Sequence, residues 1–367
     1  MRLKENEIIQ KFWSEAEKYA PLKFKSMLEE TLSQDISPDI VVGTFIEFCI
    51  AEGPCFKAMV EAKTMATPKI ISQAAQQLTA YLRRINDKTI VPVIIVPYMG
   101  TEQAKLLQRE NISWIDLSGN MWIKAPNLYI ERTGKLNKFP DTAPIKKIFQ
   151  GVSSLVSRAL LLKSEGFFSL DKIVDFINSR NANITLSTVS KVLKSLEQEL
   201  FVDKSKSLIR ARDPEKLLDK LTEGYISSTE RKTRKTYKFA ADNITNLFFT
   251  FFEQQVDYAA CGFYAAKLKG LAVTNEIIIF VKDIEQVRKA SECSRYKVEF
   301  IPDAEFGNLT ITETNDPGVW FNVSRQINNA VVDDIELYLE MMTATPRGPE
   351  IAKQIKQRIL KRTDIDG

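Results

Sequence analysis

The chain has no histidine, and that absence removes the Ser/His/Asp and Cys/His catalytic arrangements together with histidine-ligated zinc. Any chemistry here would have to run on carboxylates and lysines. Cysteine is scarce: Cys49, Cys55, Cys261 and Cys293 are scattered without the paired spacing of a zinc site or a disulfide framework, so reduced thiols are expected. No uninterrupted apolar run approaches the ~20 residues of a membrane helix. The amino-terminal MRLKENEIIQKFWSEAEKYAP is charged and helix-periodic rather than a basic tip followed by an apolar block. A cytoplasmic protein with no membrane partner is the expectation. Charge of one sign is also lacking, since a formal net of +4 does not by itself announce nucleic-acid binding, and only local basic clusters can argue for it.

What is present is ordinary globular composition over 367 residues, 44% hydrophobic and 27% charged, which is long enough for two or three domains. The most informative stretch is VEAKTMATPKIISQAAQQLTAY, an apolar strand ending in Glu61-Ala62-Lys63 and followed by a helix carrying Gln73, Gln77 and Tyr81. Residues two apart on a strand leave the same face, so Glu61 and Lys63 share one site. Four-residue steps place Gln73, Gln77 and Tyr81 on one helical stripe. Phosphodiester hydrolysis asks for carboxylates to hold Mg²⁺ and a cation beside the attacked phosphate. The plainer alternative is a solvated strand-end ion pair worth well under ~1 kcal/mol, beside a wet helix face.

These residues resemble the restriction-endonuclease-like superfamily, whose motif is Pro-Asp, then acid-x-Lys on the next strand, then in one branch a Gln-x-x-x-Tyr helix. The matches are Pro38-Asp39, Glu61-Ala62-Lys63, and Gln77 with Tyr81. The resemblance implies Asp39 and Glu61 as Mg²⁺ ligands and Lys63 as the catalytic cation. A hairpin turning near Gly53-Pro54 would set Glu61 opposite the neighbourhood of Phe45, about 20 Å along the strand from Asp39 at roughly 3.3 Å per residue. Glu47 is therefore an alternative first carboxylate.

Residues 1–145 read as helix, strand hairpin, helix and the β-rich VPVIIVPY, an α/β core. Strands around Ser118-Gly119-Asn120 imply a tight turn, and Asp116 beside it is either a turn cap or a further acid. KLNKFPDTAP looks like a linker.

From about Phe149 the pattern changes to short amphipathic helices. Ser169 is set to cap the second. In the third, Leu186, Val189, Val192, Leu193 and Leu196 form an apolar stripe, and Ser187, Thr188, Ser190, Lys191, Lys194 and Ser195 lie off it, with Thr185 just ahead. Hydroxyls and ammoniums at a helix start suit a major groove. LFVDKSKSLIRARD then reads as a hairpin with Lys204-Ser205-Lys206 at its tip and Arg210 and Arg212 on the return strand. Three helices followed by a basic hairpin resemble a winged helix-turn-helix over residues 146–228, binding double-stranded DNA through these residues. A protein-docking winged helix is the alternative.

RKTRKTYK follows, either along phosphates or as a solvated helix face or linker. Residues 229–367 alternate helix and strand. Gly262 sits among small residues, and Asp333, Asp334 and Glu336 read as helix-start acids.

Taken in order, IDLSGN, YIERTG, RDPEKLLDKLTEGY, YAACGFYAAKL and VVDDIELYLEMMTATPRGPEIAKQI resemble the AbiEi-like abortive-infection, type IV antitoxin regulators of bacteria. Lys69 stands where related chains often carry arginine, and arginine-rich character is lacking. The resemblance implies an α/β multidomain protein: an endonuclease-like domain, a DNA-binding winged helix, and a C-terminal antitoxin-like α+β domain of nucleotidyltransferase-like look. The expected function is a DNA-binding transcriptional regulator or antitoxin needing no cofactor, with a cognate toxin and a homodimer as further partners. The alternative is a Mg²⁺-dependent endonuclease.

Overall fold

The structure is a computed structural model, and it describes residues 3–29, 44–50, 53–139, 146–205, 208–241, 243–292, 300–302, 307–326, 329–344 and 346–365. The fold is mixed α/β. The chain divides into two compact units, Met1–Pro144 with Gln198–Leu200, and Ile145–Glu197 with Phe201–Gly367.

In the first unit, α1 (Glu5–Ser14) is opened by a capping interaction in which the Lys4 backbone N–H donates to Glu7 at 2.7 Å. Ile8 and Phe12, four apart, give it one buried stripe. The strands β1 (Leu22–Glu29), β2 (Thr44–Ile50) and β3 (Cys55–Ala62) form an antiparallel meander. Helix α2 (Pro68–Ile85) then carries the chain to β4 (Val91–Val96), and α3 (Thr101–Arg109) to β5 (Ser113–Asp116). Each helix is the crossover that a parallel pair requires, and β3, β4 and β5 are parallel. The hairpin β6 (Met121–Ala125) and β7 (Leu128–Arg132) completes a sheet in sequence order β1 to β7.

Alternation on these strands feeds two cores. Ile46, Phe48, Ala58, Val60, Val93, Ile95 and Ile115 pack with Ile8 and Phe12 of α1. Phe45, Met59, Ile94, Val96 and Trp114 pack with Ile71 and Leu78 of α2 and Leu107 of α3. Burial on both faces is why β4 is written as a continuous apolar run. The expected turn after β5 is present, with Gly119 at φ 101°.

The second unit begins with α4 (Gly151–Leu162), α5 (Leu170–Asn178), α6 (Leu186–Gln198) and the hairpin β8 (Val202–Ser205) and β9 (Leu208–Ala211). Next come α7 (Pro214–Ser227), α8 (Thr229–Lys232), β10 (Lys235–Ala241), α9 (Ile244–Glu253), β11 (Tyr258–Ala260) and α10 (Gly262–Leu268). The remainder is β12 (Ile277–Val281), α11 (Ile284–Glu292), β13 (Phe300–Pro302), β14 (Leu309–Glu313), α12 (Pro317–Trp320), β15 (Ser324–Gln326), β16 (Asn329–Val331), α13 (Asp334–Met341) and α14 (Gly348–Ile365). The second sheet runs β13-β10-β14-β12-β11-β16-β15. One apolar cluster extends from Ile148 to Ile359 and joins the α4–β9 segment to this sheet's helices.

The basic run at 231–238 is corrected by the structure. Lys232 and Lys235 are exposed, as a solvated face would have them, but Arg234 is not. Arg234 is 6% exposed and ion-paired to Glu230 at 3.1 Å and Asp316 at 3.2 Å, and β10 begins at the next residue. Its guanidinium also lies over the Tyr225 and Phe280 rings, so packing and two carboxylates draw it inward. Among the described residues, no helix is long and apolar enough to cross a membrane.

Candidate functional site

Helix α6 is positioned by its turn and its buried stripe. Asn178, at the end of α5, accepts from Ile184 N–H at 2.8 Å and donates to the Ile184 carbonyl at 3.3 Å, which fixes the chain between the two helices. Thr185 then caps α6, accepting from Thr188 N–H at 3.3 Å. Its hydroxyl is engaged by the helix end. Val189, Val192, Leu193 and Leu196 are buried, whereas Leu186, expected on the same stripe, is 45% exposed. At 100° per residue the direction opposite the buried four is occupied by Ser187, Lys191, Lys194 and Gln198. Ser187, Ser190, Lys191 and Lys194 are exposed and Thr188 half-buried.

The hairpin after α6 is held by a residue from before α5. Phe167 and Ile209 exchange two backbone hydrogen bonds of 2.8 Å each. This close approach requires Gly166, whose φ is 86° and whose Cβ, if it had one, would lie 2.6 Å from the Ile209 carbonyl oxygen. Arg210 is exposed on β9. Among the described residues, Lys191, Lys194 and Arg210 have no ion-pair partner. Lys204 differs, because it reaches back to Glu197 of α6 at 3.1 Å and is thereby partly neutralised. Lys206 lies outside the described residues.

In the first unit, Glu61 and Lys63 do come together, at 2.6 Å, and Lys63 also meets Glu5 of α1 at 3.2 Å. Burial works against the ammonium, but hydrogen bonds and charge from Glu61 and Glu5 prevail and hold its pKa above the usual lysine value. Gln73 and Gln77 are exposed, on the side of α2 turned away from the buried Ile71, Ala75 and Leu78, while Tyr81 is half-buried on its flank.

The β2–β3 register corrects the expected one by two residues. Met59, not Glu61, stands opposite Phe45, and Glu47 stands opposite Lys57. The cause lies at the strand ends: the Ile50 N–H donates to the Pro54 carbonyl, so Pro54 is already opposed to β2 instead of serving as the turn. Lys57, the partner of Glu47, precedes Glu61 by four residues on β3, which sets Glu47 roughly 13 Å from Glu61 along the sheet at about 3.3 Å per residue. Glu47 is thus not a companion carboxylate for Glu61. Asp39 lies outside the described residues. Among those described, the carboxylates paired with Lys63 are Glu5 and Glu61, each through one oxygen.

Asp116 takes the turn-capping role. Buried, it accepts from Asn120 N–H at 2.9 Å, the Asn120 side chain at 2.8 Å and Met99 N–H at 3.2 Å. Desolvation raises its pKa against those bonds.

The register also overturns the expectation of free thiols at two positions. Cys49 and Cys55 face each other across β2 and β3 and form a disulfide, Cα to Cα 4.1 Å. Cys261 is a free, buried thiol whose pKa burial pushes well up. Cys293 lies outside the described residues.

Sequence reading missed a buried charge cluster in the second unit. Arg158 of α4 pairs with Glu336 of α13 at 2.5 Å. Asp333 caps α13, accepting from Glu336 N–H at 2.7 Å, and burial raises its pKa to about 6. Asp334 pairs with Lys269 at 2.6 Å. Glu340 accepts from Gly262 N–H at 2.9 Å, and burial together with the Glu336 charge raises its pKa to about 8. The available signal was Arg158 itself, an arginine among Leu155, Val156, Ala159, Leu160 and Leu161, which must find a carboxylate if it is buried.

No protein-family model matches the chain. No curated protein matches it. Among solved structures, the apo form of EndoMS aligns with 13% identity and a TM-score of 0.22, covering 32% of this chain and 47% of that one. The chain thus spans about half the length of that structure, and a likeness this slight carries no argument.

Proposed function

We propose that the second unit binds double-stranded DNA through α6 and the β8–β9 hairpin, as a winged helix-turn-helix of the kind found in transcriptional regulators. The observation that carries this reading is the face of α6 opposite its buried stripe, where Ser187, Lys191 and Lys194 project without a neutralising carboxylate among the described residues. The order of α4, the Phe167 bridge, α5, α6 and hairpin supports it, because that sequence of pieces is the winged-helix arrangement. Arg210 adds a second cation on the returning strand. Phosphate contacts by such cations supply most of the non-specific affinity, and hydroxyls and ammoniums at base edges supply readout.

In this reading the first unit, whose meander, crossover helix and parallel strand suit a restriction-endonuclease-like core, is a scaffold rather than a nuclease. The C-terminal sheet is the antitoxin-type, nucleotidyltransferase-like part that the AbiEi-like resemblance implies. Fluorescence anisotropy with a labelled duplex over a salt series tests the DNA reading. Replacing Lys191→Glu and Lys194→Glu together should weaken binding at least tenfold and lower the log–log salt slope by about 0.9 per lost phosphate contact. Unchanged affinity and slope in that variant would refute it.

A further inference from the structure

We infer that Glu47, Cys49 and Cys55, once the disulfide is reduced, form a binding site for a thiophilic divalent cation such as Zn²⁺. The carboxylate and two sulfurs lie within 4.8 Å of one another on one face of the β2–β3 hairpin. The register explains why. Ile50 and Pro54 are joined by a backbone hydrogen bond, so the adjacent Cys49 and Cys55 occupy a non-hydrogen-bonded cross-strand position, where side chains come closest. Glu47 precedes Cys49 by two residues and so leaves the same face.

Chelation asks less of this pair than bonding does. Tetrahedral zinc with Zn–S of about 2.3 Å holds two sulfurs about 3.8 Å apart, a spacing that cross-strand Cβ atoms about 4.5–5.5 Å apart supply without moving the strands. Cys55 is exposed, so a reductant has access at its sulfur and a water can take the fourth position. Three anionic ligands around a dication leave one net negative charge, which Lys57, the cross-strand neighbour of Glu47, opposes. The site is separate from the Glu61–Lys63 pair, since Cys55 and Glu61 are six residues, roughly 20 Å, apart on β3.

The chemistry balances. The disulfide takes two electrons and two protons from a dithiol, which leaves as its own disulfide. The resulting thiols lose those protons when the thiolates bind the cation.

Full-length protein, reduced with a phosphine and kept anaerobic, would be titrated with Co²⁺. The expected result is a near-ultraviolet thiolate-to-cobalt band that saturates at one ion per chain, is displaced by Zn²⁺, and is missing from the oxidised protein. Cys49→Ser with Cys55→Ser should abolish the band, while Cys261→Ser with Cys293→Ser should keep it. Glu47→Gln should weaken affinity by at least the roughly tenfold that even an outer-shell partner contributes. Reduced wild-type protein without the band, a band surviving loss of Cys49 and Cys55, or undiminished affinity in Glu47→Gln would each overturn the assignment. The oxidised and reduced wild-type comparison needs no variant to fold.

Discussion

Arg158 and Glu336 form an ion pair 2.5 Å long with side chains only 3% and 0% exposed, so the helices α4 and α13 are joined by charges that water does not reach. Removing one partner strands the other in a low-dielectric interior. Arg158→Met or Glu336→Leu alone should cost about 3–5 kcal/mol in denaturant unfolding of the second unit, and the double replacement much less than the sum. Additive losses would show that the pair is not the source of the cost.

The acids beside that pair predict a pH dependence. Asp333 is raised from 3.8 to about 6, and Glu340 from 4.5 to about 8, in both cases first by burial. A carboxyl whose folded pKa exceeds its unfolded value binds more protons when folded, so its contribution is present at low pH and is lost as pH rises toward the folded value. Stability of the second unit should therefore fall by at least about 1 kcal/mol between pH 5 and pH 8. Glu340→Gln keeps an acceptor for Gly262 N–H and should flatten that slope. A slope unaltered in this variant would assign the pH dependence elsewhere.

Cations near the proposed DNA face should not be equivalent. Lys204 is already paired to Glu197, whereas Lys191 has no such partner among the described residues. In a salt titration, Lys191→Ala should reduce the slope by about 0.9 and Lys204→Ala by clearly less. Glu197→Gln frees Lys204 and should strengthen binding. Equal effects of the two lysines would contradict the neutralisation by Glu197.

Gly166→Ala tests how the hairpin is anchored. With φ at 86° and the Ile209 carbonyl 2.6 Å from the new Cβ, the replacement should cost about 2 kcal/mol or more and loosen the Phe167–Ile209 bridge. Hydrogen exchange at the Phe167 and Ile209 amides would report it. Protection equal to wild type would mean the backbone shifts without loss.

Periodicity made α6 legible, since Val189, Val192, Leu193 and Leu196 mark one face with no knowledge of the fold. The mixed α/β character was legible for the same reason. The β2–β3 register was not, because the local composition does not say whether Pro54 turns the chain or pairs with Ile50, and two residues of slip move Glu47 away from Glu61. The disulfide was hidden by the same ambiguity, for Cys49 and Cys55 oppose each other only once the turn is known. Arg234 was hidden by its neighbours: inside RKTRKTYK it looks like one of many solvated cations, and only the sheet brings Asp316 to it. Asp333 and Glu336 read as helix-start acids, and Asp333 is one, but long-range packing against α4 buries the second.

The apolar cluster running from Ile148 to Ile359 gives the second unit a shared, incompressible interior. The α4–β9 segment is thus not a bead on a string. Leu155 and Val156 share that interior with Tyr338 and Leu339, so residues 146–228 cut out on their own would bare to water the apolar side chains that the rest of the unit keeps dry.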